Sequence, residues 1–268
     1  MIVAGMSRAS AIQSPQNPLL KEIRRALARD GLTRAGLCVA EGFHLLEEAL
    51  RSGLRVETVV AAEAAAAQAL ALVGREAKVR VAVVEERLFA GVSATEHAQG
   101  VLALAEPPRW HPQDLFARRG PVVVLDRLQD PGNAGAIARA AEAFGAAGIV
   151  WVKGTVARWN PKTLRASAGS LFRLPVIDVQ DAASALALLA RRAFAVRTAV
   201  PRDGVPLWEA DWRVPCALVI GNEAHGAGEE WIRAGEPVRI PTAGVESLNA
   251  AAAAAVILYE AMRQRGAP

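Results

Sequence analysis

Apolar positions recur along this chain on two different periods. Over Pro18–Arg29, Leu19, Leu20, Ile23 and Leu27 fall on one stripe and Lys21, Arg24 and Arg25 fall elsewhere, which predicts an amphipathic helix. Glu41–Ser52 reads as a second helix. Short β-branched runs at Val56–Ala61, Val79–Val84 and Val101–Ala105 predict strands, and Ala61–Leu72 predicts a helix from propensity alone. Strands alternating with helices make a small α/β module.

The pattern changes after Gly120. Val122–Asp126 (VVVLD) is a continuous apolar run closed by a carboxylate, as a strand buried on both faces of a parallel sheet requires. Gly148–Lys153, Phe194–Ala199 and Ala217–Ile220 are further strands of this kind. Ala134–Phe144, Thr163–Ala168, Ala182–Arg192 and Asn249–Arg265 are predicted helices. This β-α-β alternation predicts a mostly parallel sheet with helices on both faces. The Pro- and Arg-rich stretch Glu106–Gly120 marks the junction, so residues 1–106 form one domain, 107–120 a linker and 121–268 a second domain.

Composition sets bounds on this picture. With 52% hydrophobic and 22% charged residues in 268, the chain can bury a core and is not disordered throughout. The longest uncharged apolar stretch, Ala250–Tyr259, has ten residues, against about 20 for a membrane span. The opening MIVAGMSRAS lacks a basic segment followed by an apolar one, so no export signal is read and a cytoplasmic protein is expected. Cys38 and Cys216 lie far apart, and His44, His97, His111 and His225 show no ligand spacing, so neither a disulfide nor a metal is expected. The net charge of +4, with 27 Arg against 4 Lys, permits a polyanionic partner. The guanidinium fork suits phosphate, although a GC-rich genome yields the same bias beside 57 Ala.

Candidate chemistry lies in three turns, since ligands of open parallel sheets bind beyond the carboxyl ends of the strands. The first is LDRLQDPGNAGAIAR, in which Pro131 and Gly132 turn the chain, Asn133 can cap the next helix, and Arg139 lies one and a half turns into it. The second, IGNEAHGAG, sets Glu223 among three glycines. It lacks both the Gly-Lys-Ser/Thr ending of a phosphate loop and the G-x-G-x-x-G order of a dinucleotide fingerprint. The third, IPTAGVESLN, enters an alanine-rich helix that Ser247 or Asn249 can cap.

Taken together, LDRLQDPGNAGAIARAAEAFG, LVIGNEAHGAG and IPTAGVESLNAAAAAAVILYEAMRQR resemble the three motifs of the SpoU family of RNA 2′-O-ribose methyltransferases. The resemblance spans Val122–Arg265, and Ser14–Glu48 is similar to the family's ribosomal-protein-like substrate-binding domain. It implies S-adenosylmethionine as methyl donor, a deep trefoil knot in the C-terminal domain and a homodimer. The catalytic residues it implies are Arg139, Asn133, Glu223, Ser247 and Asn249, and Thr198, Gly221, Ile240 and Leu248 would hold the donor. Asn17, Lys21, Arg24 and Arg34 are the RNA-contact candidates, because phosphates need such donors. A solvated basic helix face is the alternative for these four, and an exposed helix-start acid is one for Glu41.

A guanidinium with a pKa above ~12 is a poor base. Arg139 is therefore expected to hold a phosphate and stabilise the developing alkoxide, which leaves Glu223 as candidate proton acceptor or as the group that orients Arg139. The separate first domain favours ribosomal RNA of the large subunit over transfer RNA. Two rival readings are a catalytically dead RNA-binding module and a non-RNA nucleotide enzyme. The first is opposed by the presence of all five motif residues, the second by the missing phosphate fingerprint. Within the third motif, Glu246 beside Ser247 stands where a small polar residue is expected.

Overall fold

The computed structural model describes residues 9–74, 79–95 and 97–266. The opening segment read for an export signal lies largely outside them. The elements in chain order are β1 (Ala9–Ile12), α1 (Pro18–Leu27), β2 (Cys38–Glu41), α2 (Phe43–Arg51), β3 (Val56–Ala62), α3 (Ala66–Val73), β4 (Arg80–Val84), α4 (Glu86–Ala90) and β5 (Val101–Ala105). There follow α5 (Pro112–Phe116), β6 (Val122–Leu125), α6 (Pro131–Ala143), β7 (Gly148–Val152), α7 (Pro161–Ala166), β8 (Val176–Val179) and α8 (Ala182–Ala190). The chain ends with β9 (Ala195–Ala199), β10 (Val205–Pro206), β11 (Cys216–Ile220), α9 (Glu229–Ala234), β12 (Glu236–Arg239) and α10 (Ala250–Gln264). They fall into two compact units, one of residues up to Pro108 plus Ala157–Phe172, the other of Arg109–Val156 plus Arg173 onward.

The first unit is a five-stranded sheet in the order β1-β4-β3-β5-β2. β1, β4 and β3 run parallel, and β5 runs antiparallel to both β3 and β2. The stripe predicted for α1 is the buried one, with Leu20, Ile23 and Ala26 in the core. Asn17 closes that helix at its N-terminus by accepting from the Leu19 N–H at 2.9 Å. Ala61 and Ala62 complete β3, because pairing with β4 and β5 outweighs alanine's helix propensity, so α3 starts only at Ala66.

Glu41 is not a helix-start acid. It ends β2 at 6% exposure. Its carboxylate accepts from the hydroxyls of Ser93 and Thr95, the Ala94 N–H and the Arg165 guanidinium. Four donors make this buried charge affordable.

Arg165 belongs to the segment that the sequence reading gave to the second domain. Residues 157–172 join the first unit instead. There α7 packs on β2, and Trp159 stacks on Phe172 at 6.3 Å between ring centroids. Gly31, at φ +83, admits the Trp159 carbonyl so closely that an added Cβ would sit 1.6 Å from its oxygen. The junction is also more than a linker, since residues 112–116 form α5 and its Leu115 is fully buried in the second core.

That second core lies on a seven-stranded sheet, β10-β12-β9-β11-β6-β7-β8, parallel throughout. Val122, Val124, Val150, Val152, Ala217 and Val219 point to one face, where α5, α8 and α9 supply Leu115, Leu188, Leu189 and Trp231. The alternate residues Val123, Leu125, Ile149 and Leu218 are equally buried, so they face the other side. α10 packs along α6 there, which gives the helices on both faces that an all-apolar strand pattern demands.

Candidate active site

A cavity of about 640 Å³ opens at the carboxyl ends of β9, β11 and β12, where open parallel sheets place their ligands. It is lined by residues 199–201 after β9, by Ile220 and residues 221–226 of the second turn, and by Val238, Ile240, Thr242 and residues 246–250. Its walls mix Ile220, Val238, Ile240, Leu248 and Ile257 with backbone groups and the side chains of Asn222 and Thr242. A flat heterocycle with polar edges fits such a lining.

The second turn owes its shape to Asn222. Its Oδ1 accepts from the Ala224 and His225 N–H groups at 3.0 and 3.1 Å, and its backbone pairs with Gly226 in both directions. Gly221 is needed for close approach, because a Cβ there would lie 2.1 Å from the Ala227 nitrogen.

Three donors from the first turn converge on Glu223. Oε2 accepts from the Gln129 N–H at 3.0 Å, and Oε1 accepts from the Asp130 N–H at 3.0 Å and from Asn133 Nδ2 at 3.1 Å. Burial pushes this carboxyl up, but the three hydrogen bonds outweigh burial and hold it below its ordinary value of 4.5. A carboxylate held in this way is a weak base at neutral pH.

The chain of bonds continues through Asn133. Its Oδ1 accepts from Asn249 Nδ2 at 2.9 Å, and Asn249 Oδ1 in turn accepts from the Ala251 and Ala252 N–H groups at 2.9 and 3.3 Å. Asn249 is thus the cap of α10. Asn133 is not the cap of α6. Asp130 fills that place by accepting from the Asn133 N–H at 2.6 Å, which frees the Asn133 amide to join the two turns.

The structure therefore gathers Glu223, Ser247 and Asn249 at the cavity, with Asn133 one hydrogen bond behind. Arg139 does not line it. Its side chain is exposed on α6 with no hydrogen bond or ion pair among the described residues. Among the donor-site residues, Gly221, Ile240 and Leu248 line the cavity. Thr198 does not. It is fully buried with its hydroxyl donated to the Trp231 carbonyl at 3.2 Å, and the next residues, Ala199, Val200 and Pro201, form the wall instead. The predicted strand Phe194–Ala199 located β9, and only the resemblance placed Thr198 at the donor.

In the first unit, Lys21 and Arg34 carry exposed side chains. Asn17 is used as a helix cap, and Arg24 donates to the Pro15 carbonyl. Among the described residues no group of three or more His, Cys, Asp or Glu can hold a metal, and no helix is long and apolar enough to cross a membrane.

Residues 120–259, more than half of the chain, match the SpoU rRNA methylase family. The chain belongs to that family. Residues 17–103, which lie within the first unit, match the MRM3-like substrate binding domain. This SpoU family member is 31% identical to a 23S rRNA (guanosine-2′-O)-methyltransferase of Bacillus subtilis, over 92% of this chain and 97% of that protein. Its fold matches the SpoU methyltransferase AviRb of Streptomyces viridochromogenes, crystallised with the cofactor AdoMet, at a TM-score of 0.83 and 30% identity over 94% of this chain and 100% of that one. An AdoMet-bound rRNA methyltransferase of Sinorhizobium meliloti matches at 0.81 and 31% identity, over 96% and 98%.

Proposed function

We propose that this SpoU family member transfers a methyl group from S-adenosylmethionine to a ribose 2′-hydroxyl of 23S rRNA, in the cytoplasm and as a homodimer. The observation that carries the reading is the cavity walled by the second and third turns and fastened to the first by the Glu223–Asn133–Asn249 chain. The apolar wall around Ile240 and Leu248 fits an adenosine, and the backbone of the second turn offers it hydrogen-bonding groups. The 23S rRNA methyltransferase among the relatives, and the first unit's match to a substrate-binding domain, support ribosomal RNA.

S-adenosylmethionine supplies a methyl group already activated on a sulfonium, so the chain's task is to align the hydroxyl and ease the loss of its proton. Glu223 accepts three hydrogen bonds, from Gln129, Asp130 and Asn133, which stabilise its charged form and weaken it as a base. It is a positioning residue and not the proton acceptor. Ser247 and Asn249 border the space where the ribose would lie. Arg139, exposed and without a partner among the described residues, is free to hold the phosphate beside the reacting ribose and to stabilise the alkoxide as its proton leaves to solvent. Exposed Val256, Tyr259 (53% exposed) and Leu248 on and beside α10, with Phe144 packed edge-on to Tyr259, support a second copy covering this side of α6 and α10. The knot implied by the resemblance belongs to the same reading.

The test is to map 2′-O-methyl groups in total RNA with and without the gene, together with Arg139→Ala. Loss of one 23S rRNA methyl group is expected, and a methyl group lost from tRNA instead would replace the substrate named here. The Arg139→Ala variant should lose methyl transfer while calorimetry shows unchanged donor affinity. Arg139→Lys should fail as well, because a lysine lacks the bidentate fork. Transfer retained by Arg139→Ala would refute the role given to it.

A further inference from the structure

Arg127 stands two residues beyond the end of β6, and its backbone sits at φ +57, a conformation that L side chains rarely adopt. Glycine would fill such a turn without strain, so a long cation kept there points to use of its side chain. The guanidinium docks one edge on Asp126, with Nε 3.3 Å from Oδ1 and Nη2 3.2 Å from Oδ2. Asp126 is buried and also accepts from the Gly228 N–H at 3.0 Å.

Two glycines make room for the Arg127 side chain. A Cβ on Gly154 would lie 3.2 Å from Arg127 Cγ, and one on Gly228 would lie 2.9 Å from Nη2 and 2.6 Å from a Glu230 carboxylate oxygen. The acids near this guanidinium are therefore Asp126 and Glu230. Docking on Asp126 uses Nε and Nη2 and leaves Nη1 without a partner among the described residues, on a side chain that is 54% exposed. A guanidinium has five N–H donors, so the second edge of the fork remains available to an anion.

The backbone of this residue is joined to the cavity wall. The Arg127 carbonyl accepts from Asn222 Nδ2, and Asn222 lines the cavity. On the neighbouring strand, Lys153 follows the end of β7 and is exposed, bonded only to neutral Gln180 among the described residues. Because β6 and β7 are parallel and paired from Val122–Gly148 to Leu125–Trp151, Arg127 and Lys153 share the carboxyl edge of the sheet. Gly154, next to Lys153, packs against the Arg127 stem.

We infer that Arg127 and Lys153 form a phosphate-binding step for the RNA strand that enters the cavity, with Arg127 gripping a phosphodiester by its free edge while Asp126 holds it in place. The inference rests on the proposed RNA methyltransferase activity. Contacts of this kind position a strand without reading its sequence.

The test uses the full chain and unmodified 23S rRNA transcribed in vitro, with affinity measured across a salt series. Arg127→Gly, which also relieves the left-handed strain, should raise the Kd for RNA about 10-fold and lower the salt slope by about 1, with donor affinity unchanged. Lys153→Gln, which touches no buried acid, should raise it about 3-fold with a similar loss of slope, and it stands as the test if Arg127→Gly fails to fold. Arg191→Gln removes one exposed positive charge elsewhere and should stay within about twofold of the parent. Overturning results are a Kd and slope in both variants equal to the parent's, or an equal loss in Arg191→Gln. If the parent itself binds this RNA without salt dependence, the proposed activity fails before this step is reached.

Discussion

Two walls of the same cavity are built on opposite principles. The wall from the second turn is cross-linked to the first turn behind it: Glu223, Asn133, Asn249 and Asn222 join residues about ninety to a hundred and sixteen positions apart through hydrogen bonds of 2.9–3.1 Å. The facing loop, residues 241–249, is exposed along its whole length. Its side-chain bonds among the described residues are the Thr242 hydroxyl to the Val245 carbonyl, a Glu246–Arg202 ion pair in which both side chains are well exposed, and, at its end, Asn249, which caps α10 and reaches Asn133, so this loop is fastened only at that end. One wall is set before any ligand arrives, whereas the other has little to hold it until one does. Preorganisation belongs where reacting groups must be placed, and looseness where a ligand must enter and leave.

Substitutions in the two walls should therefore differ in kind as well as in size. The largest effect is expected for Glu223→Ala, which strips the acceptor from three donors. Methyl transfer should fall about 10²–10³-fold, since small misplacements in a site are that costly, and thermal unfolding should show about 1–2 kcal/mol lost. Gly221→Ala comes next: its Cβ would meet the Ala227 nitrogen at 2.1 Å, so calorimetry should show donor binding weakened about 10–100-fold. Asn249→Ala should cost about 1 kcal/mol through the lost cap, and about 10-fold in transfer as Asn133 loses its partner. Glu246→Gln, in the loose wall, should change stability by less than about 1 kcal/mol and donor affinity by less than about fivefold, since exposed ion pairs contribute little. A Glu246→Gln effect as large as that of Glu223→Ala would erase the distinction between the walls.

Acid should loosen the fastened wall. The folded value for Glu223 lies below its ordinary 4.5, so the stability it contributes is complete above that value and is lost as pH falls through the folded one. Unfolding midpoints of parent and Glu223→Gln should differ by a constant amount at neutral pH and converge only in acid.

Four strands of the second sheet, β6, β7, β9 and β11, were legible because buried strands leave apolar runs, as in Val122–Leu125 and Cys216–Ile220, whereas the partly buried β8, β10 and β12 leave none and were not read. The three turns were legible through their glycines, asparagines and Glu223. Partnership was not. That Asp130 and not Asn133 caps α6 depends on which donor the Asn133 amide meets across the cavity. The transfer of residues 157–172 to the first unit rests on α7 packing against β2, on Gly31 admitting the Trp159 carbonyl and on Arg165 reaching Glu41, contacts with no local signature. Thr198 was placed at the donor by the resemblance alone, and the residues that follow it, Ala199, Val200 and Pro201, line the cavity instead.

The account depends most on Glu223 being a fastener with its charge already committed. A site-resolved titration of its carboxyl carbon by NMR, in the ligand-free protein, reads this directly. A midpoint below 4.5 is predicted. A midpoint of about 6 or higher would make Glu223 a competent base and would contradict the role assigned to it here.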